Sequence, residues 1–256
     1  MDRVDRPSVA TFLAPPPLVA GEVSLGADVA HHIRVRRLAV GDAVQLLDGE
    51  GALGRGVLGS LAKNAATVHV DKVERRAPPP PVHLLVPVSD RDRTLWLAEK
   101  CAELGLASWR PVRWRRSHGV ASRGEGEAFD ARVRARMAAA LVQSEGGWLP
   151  RLYAPAALDE ALAALPDCAR LLLDPDGPPL RDALGDLTGV AGEQPVAIAL
   201  GPEGGFERSE LDALASRGFR TAALPGSILR FETAGVAALV LTLAALSAGA
   251  GATHGR

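Results

Sequence analysis

The sequence predicts an α/β protein in two parts: a small N-terminal β-barrel and a larger α/β domain built on a mostly parallel sheet. Three observations carry that expectation. Four consecutive prolines, Pro78 to Pro81, can enter neither a helix nor a central strand and form a stiff connector. Before them lie short alternating apolar runs cut by Gly and Asp turns. After them, apolar strands alternate with helical patterns, the arrangement of a sheet covered on both faces. The expected boundaries are 1–77 for the barrel, 78–81 for the linker and 82–256 for the α/β domain.

Taken in order, "VSLGA", "AVQLLDGEG", "GALGRGVLGSL" and "ATVHVDKV" read as strands, with "ADVAHHIRVRRL" as one short helix. Beyond the prolines, "VHLLVPV" is a strand and "RTLWLAEKCAELG" an amphipathic helix stopped by Gly105. "ASWRPVRW" is a strand and "EAFDARVRARMAAALVQSE" a longer helix. "ARLLLDP", "PVAIAL" and "RTAALPG" follow as strands, with the helix "ERSELDALASRG" between the last two. Ligands of such sheets sit beyond the carboxyl ends of the strands. The loops "DPDGPP", "GPEGGF" and "PGSILRFET" lie there and read as the walls of one pocket.

Composition narrows the function classes. The 256 residues carry 29 Lys and Arg against 30 Asp and Glu, so no global field draws the chain to nucleic acid or membrane. The stretch from Arg110 to Arg136 is locally basic, with eight arginines against Glu125, Glu127 and Asp130. Cys101 and Cys168 have no metal-ligand spacing and read as free thiols of a cytoplasmic protein. "MDRVDRPSVATFLAPPP" lacks the apolar core of a signal peptide. The uncharged segment from Ala234 to Ala252 is alanine-rich without aromatic anchors, and reads as a buried core or interface helix rather than a membrane span.

"GRGVLG" matches a dinucleotide fingerprint by letter, but it lies in the β-rich part with no following helix, and reads as a glycine-rich hairpin region. No lysine occurs beyond Lys100, which excludes a Walker loop. Lys100 and Glu103 share a helix face and read as an ordinary ion pair. His31 and His32 are too divergent on a helix to chelate together; with Arg34, Arg36 and Arg37 they fit a solvated face or phosphate contacts. Arg113, Arg115 and Arg116, with Trp114, suit phosphates and unstacked bases, and a plain solvated arginine face fits them as well. In "GPEGGF" the glycines permit close backbone approach to a flat ligand. "ILRFETAG" sets Arg230, Glu232 and Thr233 at the mouth of an apolar helix, with Thr233 as N-cap.

These residues carry a resemblance. "LGPEGGF", then Glu210, "GF" at Gly218–Phe219 and "ILRFETA" resemble the RsmE family of 16S ribosomal RNA uracil-N3 methyltransferases, in the SPOUT superfamily. "HHIRVRRLAVGD", "EKCAELG" and "LVQSEGGWLP" resemble further family segments in the same order, so the likeness spans nearly the whole chain. There are three departures: "QSEGGW" where the family usually has an arginine after Gln-Ser, "LPGSILR" with Pro225 at a usual glycine, and Thr11-Phe12 at a usual Arg-Phe.

The resemblance implies a PUA-like RNA-binding β-barrel, a SPOUT α/β domain with a trefoil knot, a homodimer, and S-adenosylmethionine as methyl donor. It implies 16S rRNA of the small ribosomal subunit, in the decoding region, as substrate. By the same route Leu173, Leu200, Gly201, Glu203, Gly204 and Gly205 form one wall of the cofactor site. Leu224, Gly226, Ile228, Leu229, Arg230 and Thr233 form the other. Arg230 and Glu232 are the catalytic candidates; His31, Arg34, Arg36, Arg37, Arg113, Arg115 and Arg116 are the RNA-binding ones. No metal is expected. A related ribose 2′-O-methyltransferase and a non-catalytic RNA-binding or assembly protein are the alternative readings.

Overall fold

The computed structural model describes residues 9–117, 124–188 and 194–253. The first residues of the segment read for a leader, Arg123 of the basic stretch, His254 and Arg256 lie outside the described residues. The chain divides into two compact units, Met1–Pro78 with Leu141–Leu149, and Pro79–Ala140 with Pro150–Arg256.

The first unit holds β1 (Ala10–Leu13), β2 (Gly21–Leu25), α1 (Ala27–Val35), β3 (Ala43–Leu47), β4 (Ala52–Leu61) and β5 (Ala66–Arg75). They form a five-stranded sheet in the order β1-β3-β4-β5-β2. The β4–β5 hairpin shifts register at Arg55/Gly56 and at Leu58/Ser60, which bends the sheet. Gly56 permits the first shift: a Cβ there would sit 2.0 Å from the His69 carbonyl oxygen. The expected barrel is not closed by hydrogen bonding among the described residues, since β1 and β2 are the two edges. Curvature lets Phe12, Leu18, Ile33, Leu46, Leu58 and Val68 meet in one core beneath α1. Strand β1 had no sequence expectation; its four residues are too few to display an alternation.

Residues 141–149, expected in the second part, join this unit. Leu141 buries with Leu47 and Leu53, and the half-buried Leu149 packs against them. Main-chain bonds run from Gly51 N to Gly147 O and from Leu149 N to Gly49 O, 2.8 and 2.9 Å. Arg76 donates to the Glu145 carbonyl, and the Trp148 indole donates to the Arg76 carbonyl. Gly51 leaves room for that indole, because a Cβ would lie 2.5 Å from its ring. Sequence boundaries drawn at composition changes miss a short segment that returns.

The second unit is built on β6 (Val82–Pro87), α2 (Arg91–Leu104), β7 (Ser108–Val112), α3 (Glu127–Ser144, whose last turn enters the first unit), β8 (Arg151–Leu152) and α4 (Leu158–Ala163). It continues with β9 (Ala169–Leu173), α5 (Leu180–Thr188), β10 (Val196–Ala199), α6 (Arg208–Ser216), β11 (Arg220–Ala222) and α7 (Phe231–Thr253). The sheet runs β11-β9-β10-β6-β7-β8 with every pairing parallel, as the apolar runs predicted. Helix α2 starts at Asp90, whose side chain accepts from the Asp92 and Arg93 amides, and stops at Gly105 with φ 81°. Helix α7 is long and apolar enough to cross a membrane by length and composition. Ala238, Leu239 and Leu246 of α7 are buried, and it packs on α2 and α5; Val240 and Leu241 are exposed. Gly235 sets the close approach, since a Cβ would meet Leu97 at 2.9 Å and Leu200 at 3.0 Å. Cys101 and Cys168 are unbridged and buried. Lys100 pairs with Glu99 and Glu103 as an ordinary cluster.

His83 on β6 makes a testable contribution. Burial, then the nearby Arg110 charge, pushes its imidazole down to about 4 from 6.5, and its Nδ1 meets Ser108 Oγ at 2.8 Å. The unfolded chain therefore binds more protons between those values, so this contribution is complete above pH 6.5 and is lost as pH falls toward 4. The shift corresponds to at most about 3 kcal/mol, and partial exposure of the ring reduces it to about 1–2 kcal/mol. Urea titrations at pH 7 and 4.5 should differ by that much more for wild type than for His83→Asn.

Candidate functional site

Three loops leave the carboxyl ends of β9, β10 and β11, and their convergence creates the site. They enclose a cavity of about 530 Å³ with Leu173, Asp174, Leu200, Gly201, Glu203, Gly205, Leu224, Gly226, Ile228, Leu229 and Arg230 in its wall. Ten of the twelve residues expected around a cofactor are thus brought together. Leucines from strand ends make the floor, while Gly205 and Gly226, at φ 69° and 97°, give the two main loops their left-handed turns. Pro225 is followed by the glycine, Gly226, that carries the positive φ of this loop.

Gly204 and Thr233 do not line the cavity. Gly204 faces Arg116, whose guanidinium donates to its carbonyl at 3.2 Å. Thr233 is exposed and is not an N-cap: α7 starts at Phe231, because the Ala234 amide already bonds the Arg230 carbonyl at 2.8 Å. Burial of Phe231 to 5% draws the helix start three residues earlier than a Thr233 cap would place it.

The two catalytic candidates separate. Arg230 is exposed in the cavity wall, with no side-chain partner among the described residues. Glu232 is buried in the first turn of α7 outside the cavity lining, and its Oε1 lies 3.8 Å from Arg93 Nε. Glu203 has both oxygens engaged: Ser89 Oγ donates to one at 2.9 Å and Arg93 Nη1 to the other at 2.9 Å. Sequence reasoning missed Ser89 and Arg93. Their only signal was a position just before and within the first turn of a helix, which does not distinguish them from capping residues.

Glu210 anchors the neighbouring wall. Its carboxylate accepts from the Arg115 amide at 2.7 Å and from the Glu207 amide at 2.8 Å, closing a capping box at α6. Trp114 was expected to stack on bases but is 1% exposed, packed edge-on against Phe206 at 4.9 Å. An indole beside a mostly apolar loop gains more by filling the core under that loop than by waiting in solvent. Arg113 and Arg115 are exposed and pair with Glu125 at 3.1 Å and Glu207 at 3.8 Å. In the first unit His31, Arg34, Arg36 and Arg37 are all exposed on or just after α1. Arg34 donates to the carbonyls of Ala62 and Lys63, and Arg36 lies over the Phe12 ring. Among the described residues no group of His, Cys, Asp or Glu has a metal-binding arrangement.

Residues 76–243, more than half of the chain, match the RNA methyltransferase domain family. The chain belongs to that family. Residues 25–71 match the RNA methyltransferase PUA domain, within the five-stranded unit. The chain is 29% identical over 231 residues to ribosomal RNA small subunit methyltransferase E of Synechocystis sp., covering 89% of this chain and 74% of that protein. It is 25% identical to the Bacillus subtilis protein of the same name, over 84% of this chain and 86% of that protein. The crystal structure of the Neisseria gonorrhoeae ribosomal RNA small subunit methyltransferase E bound to S-adenosylmethionine superposes with a TM-score of 0.79 at 26% identity. The match covers 91% of this chain and 95% of that one. The cavity lies within the stretch matched by the RNA methyltransferase domain.

Proposed function

We propose that this chain methylates N3 of a uridine in 16S ribosomal RNA of the small subunit, with S-adenosylmethionine as methyl donor. The observation that carries this reading is the cavity between the GPEGGF and ILRFET loops, with Arg230 in its wall, in a member of the RNA methyltransferase domain family. The cavity fits the donor. Its 530 Å³ lies within the range of about 300–1,000 Å³ typical of such sites. Leucine and isoleucine side chains suit an adenine ring, left-handed glycines bring backbone groups to the ring's edge, and the Asp174 carboxylate suits the donor's hydroxyls and positive charges. When bound, S-adenosylmethionine supplies an electrophilic methyl carbon on a sulfonium.

The chain's own task is to make N3 of uracil nucleophilic. That nitrogen gives up its proton to solvent water at the cavity mouth, and the negative charge left behind spreads to O2 and O4. Arg230 donates hydrogen bonds to the developing charge, as preorganised donors do in oxyanion holes. Glu203 and Glu232 both face Arg93, so they brace the loops rather than take the proton. Holding N3 in line with the methyl carbon contributes up to about 7–11 kcal/mol.

The same reading assigns the first unit, PUA-like, to RNA binding, with His31, Arg34, Arg36 and Arg37 on phosphates. In the second unit Arg113, Arg115 and Arg116 contact RNA beside the cavity. The α/β unit carries a trefoil knot that includes both glycine loops, and the protein acts in the cytoplasm as a homodimer. Support for the dimer comes from Trp96 on α2 and Val240 and Leu241 on the packed α7, which are 40–45% exposed. Incubation with tritiated S-adenosylmethionine and small subunits from a strain lacking the modification should place label in 16S RNA. Absence of label from 16S RNA, or label confined to protein, would refute the assignment.

A further inference from the structure

Two of the three loops that enclose the cavity, GPEGGF and PGSILRFET, are separated in sequence by α6 and β11, and no main-chain hydrogen bond joins them among the described residues. One side chain does. Arg93, in the first turn of α2, reaches Glu203 of the first loop through Nη1 at 2.9 Å and Glu232 after the second through Nε at 3.8 Å. We infer that Arg93 is a positioning residue that latches the two cofactor loops together, an inference that rests on the proposed cofactor site.

The surroundings make the latch specific. Asp90 caps α2 by accepting from the Arg93 amide at 3.1 Å, and the Thr94 hydroxyl donates to the Asp90 carbonyl at 2.7 Å, so the arginine projects from a fixed helix start. Ser89 holds the far oxygen of Glu203. The Glu232 side chain is 11% exposed, and its Oε2 has no donor among the described residues. Arg93 is therefore the cation that offsets a buried carboxylate, and without it Glu203 and Glu232 are like charges with no guanidinium between them. A guanidinium presents separate N–H groups to two acids, whereas a lysine offers a single point charge. Lysine at this position can retain one half of the latch.

The test has two readouts on the full chain. Hydrogen exchange without cofactor should show amides in 200–206 and 224–232 exchanging at least tenfold faster in Arg93→Gln than in wild type. Amides of α6 should change less than twofold. Arg93→Lys, the safer variant for folding, should accelerate the 224–232 loop at least threefold and the 200–206 loop less. Calorimetry should give an S-adenosylmethionine Kd at least tenfold weaker for Arg93→Gln, with KM for the cofactor rising in parallel and KM for RNA unchanged. Loss of folded protein alone would lower kcat without moving a KM. Unchanged exchange in either loop of both variants overturns the latch. If exchange rises as expected but wild type binds no S-adenosylmethionine, the latch stands and the proposed function falls.

Discussion

Arg230→Ala should lower methyl transfer at saturating cofactor and RNA by about 10²–10³-fold, the loss typical of removing one preorganised donor at a developing negative charge. Its Kd for S-adenosylmethionine should stay within about threefold of wild type, because the apolar floor and both glycine turns of the cavity remain. The expectation rests on exposure and freedom: the guanidinium lies in the cavity wall and no protein acid claims it among the described residues. Arg230→Lys keeps the charge but loses the fork that can reach two positions, so it should recover only part of the rate. Single-turnover rates separate this from slow product release. Near-normal transfer by Arg230→Ala would remove Arg230 from the mechanism.

Glu210→Ala should have the largest effect on stability, about 2–4 kcal/mol, seen as a lower urea midpoint of the second unit. The residue is 4% exposed and both its oxygens accept main-chain N–H bonds, from Arg115 and from Glu207. Alanine leaves the two donors without a partner and opens the capping box of α6. Glu210→Gln retains one good acceptor and turns N–H donors toward the other amide, so it should cost about half as much. The same carboxylate ties the segment after β7 to the start of α6, next to the GPEGGF loop. Cofactor affinity should fall with the stability. A variant as stable as wild type would mean that water replaces the carboxylate.

Much of this molecule was legible in its sequence, and the reasons differ by element. The parallel sheet was legible because "VHLLVP", "RLLL" and "VAIA" are continuous apolar runs separated by helical patterns. Strand β8 and helix α4 escaped because two and six residues are too short to establish a period. The cavity was legible because glycine and proline cluster in the loops that follow the apolar strands β10 and β11. Arg93 was not, because its role depends on Glu203 and Glu232 arriving from distant loops, and spacing along the chain carries no trace of that meeting. Trp114 misled for a related reason: arginine neighbours suggested an exposed platform, while the Phe206 ring that covers it lies 92 residues away.

The "QSEGGW" departure also has a physical reading. Gly146 and Gly147 sit where a Cβ would meet Leu141 at 2.7 Å and Arg76 at 3.3 Å, so the small residues serve the docking of 141–149 into the first unit. The backbone makes the contacts there, through the Glu145 and Gly147 carbonyls.

The central claim is the position methylated, and nucleoside mapping tests it most directly. Small subunits lacking the modification would be labelled with tritiated S-adenosylmethionine, and their 16S RNA digested and resolved by chromatography. The account predicts all enzyme-dependent label in 3-methyluridine, entering about 10²–10³-fold more slowly with Arg230→Ala. Label in a ribose 2′-O-methyl nucleoside would contradict it, and so would tight cofactor binding with no transfer to RNA.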